Sequence, residues 1–562
     1  MEKGKPHFNR SREPVGNKIP AISGSVSVDV IPISKSKFTQ GLKIFSKLFS
    51  DKSLTKKASL NALAATLDYG SHLIVGFIIT PLLVTGLGDF LYGAWRILQQ
   101  FVGYIAPASG RSTQALKWTL ANRQSSSDYE EKRRYVGSAL VIWALFMPLM
   151  TALGGLIAWF APVWLDMPKE FFWSVRLAAA LLAAGLVITS LCEIPRSVLL
   201  GHNLGYKRMG LSATLVFVGG GFTWIALYLD TGIAGVAAAA LATTLLTGIL
   251  FLLIARIYTP WFGVARPSLA ASRRFLGLSW WFIVWNLVMR VMKASDAVML
   301  GVFGSVELVT TFALTKYAPE TVITFVTIMV FGITPGLGGI IGSGNLQKAY
   351  RVRNEIMLFT WLIVTGLGPT VLLWNWAFIQ LWVGAEHYAG TIPTLLIVIL
   401  ATQFVLIRND ACIIDLTLRL RRKVLMGALS IMLSLIAAGV LVSYFKMGIV
   451  GLCLGFIGGR SVLSISYPIM VGRFLKVAFS SQLKSILRPV LVTMLLFLLA
   501  SKIGGLLTES IRFTAIGWTD FILSAGVTLC VVILLAFYAG LSDNQRGHVL
   551  RRIRMVVAIA PD

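Results

Sequence analysis

The 562-residue chain is poor in charge, and poorest in acid. Asp and Glu total 24 against 51 Lys and Arg; charged residues make up 13% and hydrophobic residues 56%. Soluble domains run nearer about 25% charged and 45–50% apolar, so an ordinary soluble enzyme is excluded. After residue 57 no polar stretch is long enough to be a domain. The five histidines are scattered, and no HExxH, GxSxG or clustered-His pattern occurs, which leaves catalysis without its usual residues. Cys192, Cys412, Cys453 and Cys530 lie in apolar segments with no CxxC pair, so neither a disulfide framework nor a cysteine metal site is expected. No secretory leader is expected either, because the first 57 residues hold 12 Lys and Arg and no apolar core.

What the chain has in quantity is apolar runs of the ~20 residues that cross a bilayer, recurring from residue 58 to residue 540. They divide into fourteen spans, and the expected class is an all-α polytopic membrane protein. Residues 1–57 form a basic tail, with 1–40 reading as disordered and 41–57 as either an amphipathic surface helix or a basic flank. Residues 58–255 hold spans 1–6, 256–275 a linker, 276–471 spans 7–12, 489–540 spans 13–14, and 541–562 a second tail.

Alternate gaps test that map. The two tails and the even-numbered gaps carry 37 of the 51 basic residues, among them Arg419, Arg421, Arg422 and Lys423. The odd-numbered gaps carry Lys169, Lys446, Lys502 and Arg512. By the positive-inside rule both termini are cytoplasmic. The charge surplus is then a topology signal; membrane lipids are the expected partners and nucleic acid is not. A repeat supports the division into halves. Tyr228, Gly232, Ile233 and Gly235 match Tyr444, Gly448, Ile449 and Gly451 at an offset of 216, and Gly88 falls on Gly304. Six spans separate the copies, so the halves have parallel topology, which suggests two six-helix lobes about a central cavity with two further helices appended.

Ionisable groups near mid-bilayer are costly and face a bundle interior or a watery cavity. Span 1 carries Asp68 and, one turn on, His72; span 2 carries Arg96, Gln99 and Gln100. Span 7 carries Arg290, Lys293 and Asp296, and span 8 Lys316, Tyr317 and Glu320. The leading spans of both halves thus bring charge to matching depths, whereas spans 3, 5, 6, 11 and 14 bring none. Arg96, Arg290, Lys293, Lys316, Gln100 and Tyr317 are the candidate substrate contacts, and Asp68, His72, Asp296 and Glu320 the candidate coupling or gating groups. Two plainer alternatives stand beside this. Lys293–Asp296 and Lys316–Glu320 would neutralise each other locally on their helices, and Asp68 would pair with Arg96 or Arg290. Arg460 in span 12 calls for an inter-helix partner, and Arg176 near the outer end of span 4 is either an interfacial contact or a guide for anions. Glu193, Arg196, Arg408, Asp410 and Asp415 read as interfacial pairs. Gly336, Gly338, Gly339, Gly342 and Gly344 follow Pro335 on a membrane helix without Lys-Ser/Thr, and read as a bend rather than a phosphate loop.

The turn Gly86-Leu87-Gly88-Asp89-Phe90-Leu91-Tyr92-Gly93-Ala94-Trp95, together with the topology of residues 58–540, resembles the polysaccharide-transport (oligosaccharide flippase) branch of the multidrug/oligosaccharidyl-lipid/polysaccharide exporter superfamily. The resemblance implies a non-enzymatic flippase of the bacterial cytoplasmic (inner) membrane. It would move a polyprenyl-pyrophosphate-linked oligosaccharide by alternating access, with proton or Na⁺ coupling and no cofactor, beside other polysaccharide-assembly proteins. It places Arg96, Arg290, Lys293 and Lys316 in a cationic cavity. Here the cavity set Asp68, Arg96, Arg290, Lys293, Asp296, Lys316 and Glu320 sums to only +1, a departure from a strongly anion-selective site. A multidrug extruder of the same superfamily, a membrane glycosyltransferase or ligase, and a non-transporting scaffold are the competing classes. The topology is directly testable: alkaline phosphatase fused after Gly304 should be active and fused after Arg421 inactive, and the opposite pattern would invert the map.

Overall fold

The structure, a computed structural model, describes residues 54–550 apart from 110–111, 123–125, 203, 205–208, 268, most of 322–343, 417–419, 512–516, 544 and 548. Two units are separable, and Met1–Lys56, the first of them, lies almost wholly outside the described residues, as do the tail helix read over 41–57 in the main and the bend at Pro335. The second unit, Lys57–Asp562, carries the fold. Among the described residues there is no strand, and the helices are α1 Leu54–Ile105, α2 Ser112–Asn122, α3 Tyr129–Trp164, α4 Phe172–Gly201, α5 Met209–Tyr228, α6 Gly232–Tyr258, α7 Leu269–Phe303, α8 Val306–Thr315, α9 Leu346–Trp382, α10 Thr391–Leu416, α11 Leu420–Ser443, α12 Gly448–Leu475, α13 Phe479–Ile511 and α14 Trp518–Leu535. Helices α1 and α2 cover the first two expected spans, and α3 to α14 follow the others one for one. Eleven of the described helical stretches are long and apolar enough to cross a membrane, one of which, Leu67–Ser109, contains two spans.

Helix is the only open-ended way to satisfy a backbone in hydrocarbon, and the polar side chains within these helices follow the same constraint. Thr189, Thr365 and Thr402 donate to the carbonyls of Gly185, Trp361 and Val398 at 2.7, 2.6 and 2.9 Å, so their hydroxyls ask nothing of the lipid. Where chains enter, side chains cap the exposed amides. Asp128 accepts from Glu131 N at 2.9 Å, and Asn345 from Lys348 N at 3.0 Å. The reversal between the first two spans uses no loop at all. Gly88 takes φ 73°, ψ 164° inside α1, a backbone region reserved for glycine, and the helix folds back on itself there.

The two halves pack alike. Helices α3–α4, α4–α6 and α5–α6 touch in one, and α9–α10, α10–α12 and α11–α12 in the other. Small residues set the closest approaches: a Cβ on Gly455 of α12 would come within 2.8 Å of the Ala438 Cβ of α11. The repeat seen at the offset of 216 is a repeat of backbone. Asp230 and Lys446 have φ 50° and 54°, Gly232 and Gly448 have 61° and 51°, and each pair forms the same left-handed turn into α6 and α12. Asp and Lys differ in charge, so here conformation matches where side-chain chemistry does not.

Helix α9 is the hub of the second half: 56% of its most apolar window is buried inside the protein, against 11% for α14. Helices α13 and α14 both dock on it. Thr365 and Thr493 hydroxyls meet at 2.6 Å, and Trp374 Nε1 donates to Thr528 Oγ1 at 3.0 Å. The Gly88 hinge gives a clean test, because a Cβ there would meet no atom within 4 Å. Gly88→Ala should lower stability by about 1–3 kcal/mol through backbone strain alone, read as a fall in the unfolding midpoint of the detergent-solubilised protein.

Candidate functional site

A small pocket of ≈ 50 Å³ lies in the second lobe between α7, α8 and the stretch following it, α10 and α12. Its charged lining is Lys293, Asp296, Lys316, Glu320 and Arg460, and Phe312 and Phe404 are among its apolar residues. Each charge is placed by its helix. Lys293 and Asp296 are three residues apart on α7 and share a face. Lys316 caps the C-terminal end of α8, and Glu320 stands one turn on, its N–H donating to the Lys316 carbonyl at 2.9 Å.

The two charges closest together come from different helices. Lys316 Nζ donates to Asp296 Oδ2, with the carboxylate side chain 8% exposed. Asp296 also accepts from Ala297 N at 2.8 Å. Arg460 Nη2 donates to the Met292 carbonyl at 2.5 Å, and its guanidinium carbon lies 5.1 Å from the Phe456 ring centre and 5.7 Å from that of Phe404. Lys293 Nζ is 5.5 Å from the same Phe404 ring, with its side chain open to the pocket. Phe404 is therefore shared by two cations, one on each side of the pocket, each gaining about 0.5–2 kcal/mol from the ring. With Lys316 and Asp296 neutralising one another, the pocket presents Lys293, Arg460 and Glu320.

Arg96 belongs to the other lobe and is half-buried within electrostatic reach of Glu320, Asp296 and Tyr317. Its neighbour Gln100, one turn along, is half-buried as well. Arg290 lies against α1 at Gly103, where any Cβ would overlap its guanidinium, and its Nε has no hydrogen-bond partner among the described residues. Neither arginine lines the pocket. Tyr317 is turned away from the pocket. Its hydroxyl donates to Leu73 O of α1 at 3.5 Å, and its ring is 4.4 Å from Trp382. Phe77 of α1 stacks on Trp382 and meets Trp518 edge-on, both at 5.7 Å, while Trp382 Nε1 donates to Phe77 O at 2.8 Å. This aromatic seam joins both lobes and the appended α14. Beside it Asp89 receives His387 Nε2 at 2.7 Å, Thr310 Oγ1 donates to Asp89 O at 2.6 Å, and a Cβ on Gly93 would overlap Val306 O. The sequence element Gly86–Trp95 is thus a lobe-to-lobe contact.

Several expectations change. The local pairs Lys293–Asp296 and Lys316–Glu320 do not form; Lys316 reaches across helices to Asp296, and its i,i+4 neighbour Glu320 is exposed in the pocket lining. His72 Nδ1 donates to the main-chain carbonyl of Asp68 at 2.8 Å, not to its carboxylate, and no ion pair joins Asp68 to Arg96 or Arg290 among the described residues. Glu193 and Arg196 do pair. Arg176 stacks over Trp159, its guanidinium carbon 4.1 Å from the ring centre. Two charges read as loop or interface residues are interior ones. Arg353 grips Asp410 with two hydrogen bonds of 2.9 and 3.0 Å, and both are nearly inaccessible. Lys423, fully buried, donates to Asp415 at 2.5 Å and sits 3.8 Å over Trp285. Their signal was available: Arg353 and Asp410 stand at similar distances from the same end of neighbouring antiparallel helices.

No family model and no curated protein matches the chain. Twenty-nine solved chains are similar to it in fold. One is the inward-facing conformation of a multidrug resistance MATE family transporter of the MOP superfamily, with TM-score 0.58, 15% identity, and 74% of this chain and 94% of that chain covered. Another is an outward-facing conformation of such a transporter, with TM-score 0.54, 14% identity, and 76% and 97% covered. A third is a MOP superfamily transporter from Pyrococcus furiosus described as having a binding pocket of reverse polarity, with TM-score 0.51, 15% identity, and 75% and 96% covered. The chain has the fold of MATE transporters.

The cross-helix pair yields a prediction about stability. Asp296→Asn strands a buried ammonium and should cost about 3–5 kcal/mol, whereas Asp296→Asn with Lys316→Met should recover most of it. Thermal unfolding of the three proteins measures both steps; equal midpoints for single and double variants would dismiss the pair as a structural element.

Proposed function

We propose that the protein is a flippase of the cytoplasmic membrane, carrying a polyprenyl-pyrophosphate-linked oligosaccharide between leaflets by alternating access of its two lobes. The observation that carries this is the set of mid-span cations not committed to a carboxylate: Lys293 and Arg460 line the pocket, while Arg96 and Arg290 lie nearby on the inner faces of the first two spans of each lobe. A pyrophosphate cannot shed its hydration in ~30 Å of hydrocarbon. Guanidinium forks replace water at phosphate oxygens with charge-assisted, bidentate hydrogen bonds. The lipid tail stays in the bilayer while the head group passes between the lobes. The two-lobe fold shared with MATE transporters supports a rocking mechanism, and Asp68, His72, Asp296 and Glu320 are the groups through which a proton or Na⁺ would couple.

A multidrug extruder is the second reading. It is favoured by one observation: Glu320 is exposed in a pocket walled by Phe312 and Phe404, a combination that also suits an aromatic cation. Proteoliposomes separate the two. Flipping of a fluorescent polyprenyl-pyrophosphate glycan should fall about tenfold or more in Arg96→Ala, Arg290→Ala and Lys293→Ala, with protein level unchanged. Normal flipping in all three would remove the site assignment, and efflux of ethidium abolished by Glu320→Gln would favour the second reading.

A further inference from the structure

A second cavity, of ≈ 480 Å³, lies on the far side of α10, enclosed by α9, α10, α12 and α13. It shares no lining residue with the charged pocket apart from neighbours along the same helices, and the transport reading makes no use of it. Its walls are almost wholly apolar, with Trp361, Ile399, Ile407 and Phe497 among them. Along α13 it runs from Ile486 to Leu498, ~18 Å at ~1.5 Å per residue, so it is a slot aligned with the membrane normal. Two of its lining residues on α13, Met494 and Leu498, are 60% and 56% exposed on the outer face of the bundle. The slot therefore opens sideways.

Empty, such a space forfeits the contacts of every atom that lines it, and apolar cavities of this kind do not hold water. The material outside a lateral mouth at this depth is hydrocarbon. The volume has room for roughly 16 groups of about methylene size, taking ~30 Å³ for each. Two lining residues also carry unpartnered polar atoms, both closed off from the slot itself. Trp361 Nε1, on a residue 93% buried, and Gln403 Oε1, whose amide nitrogen is spent on Ile457 O and Ser464 Oγ, have no hydrogen-bond partner among the described residues.

The geometry points to a lipid-binding site: the slot takes one extended hydrocarbon chain, entering between α13 and its neighbours. Bound there, the chain fills the joint between the appended helix α13 and the second lobe. Both a membrane phospholipid's acyl chain and a polyprenyl chain fit that chemistry, and the test distinguishes them. The full-length protein is reconstituted in phosphatidylcholine vesicles carrying either an acyl-chain diazirine phosphatidylcholine or a diazirine polyprenyl phosphate, then irradiated and mapped by peptide. Adducts are expected on residues 486–498 and 395–407, about tenfold above the lipid-facing residues Ile522, Leu523 and Val527 of α14. Ile399→Trp and Val490→Phe, which fill the slot, should remove that excess while labelling of α14 stays constant and so reports an intact fold. Hexadecanol, a single chain ending in a hydroxyl, should compete in the wild-type protein without any variant. Labelling by the acyl probe identifies bulk lipid, and labelling by the polyprenyl probe alone identifies the carrier. Adducts spread evenly over α13 and α14, or an excess untouched by both variants and by hexadecanol, would overturn the site.

Discussion

The constraint behind this molecule is that a charge inside hydrocarbon must be answered, by an opposite charge, by a carbonyl or ring, or by water in a passage. The second lobe uses more than one of these answers. Toward one end, Arg353 with Asp410 is a closed pair walled in by protein, and the buried Lys423 reaches a half-exposed Asp415, both tying neighbouring helices together. At mid-depth, Lys316 and Asp296 close one pair, and their neighbours Lys293, Glu320 and Arg460 are left around a pocket. The same residue types thus serve as mortar in one layer and as lining in the next. What separates the layers is whether a carboxylate stands opposite each cation.

Spans, repeat and lobe architecture were legible in the sequence, because they follow from length, apolarity and the alternation of basic gaps, all of which are one-dimensional. Which helix carries each charge was legible too, because the helices themselves were. Azimuth was not. Tyr317 and Lys316 are adjacent in sequence, yet one faces the aromatic seam and the other Asp296. Local i,i+4 pairing suggested Lys316 with Glu320, but tertiary packing brought Asp296 of another helix closer. Arg353 and Lys423 counted as loop charges because a basic residue near a helix end looks the same in sequence whether it faces water or a neighbouring helix.

The glycines around the first turn illustrate how a short motif acquires meaning only in three dimensions. Gly88 turns the chain, Gly93 lets α1 approach the Val306 carbonyl, and Asp89 between them engages both Thr310 and His387. In sequence these residues resemble a family element. In the structure they form one end of the contact between the two lobes, so an element that reads as a signature is a mechanical joint.

The aromatic seam carries a thermodynamic consequence. Separating the lobes at that end would strip Phe77 from Trp382 and Trp518 and break the bond from Trp382 to the Phe77 carbonyl. Ring surface newly wetted this way costs roughly 1–3 kcal/mol per ring. The equilibrium is thereby weighted toward the arrangement in which these rings stay stacked, and any motion that parts the helices at this seam must draw on contacts formed elsewhere to offset the loss.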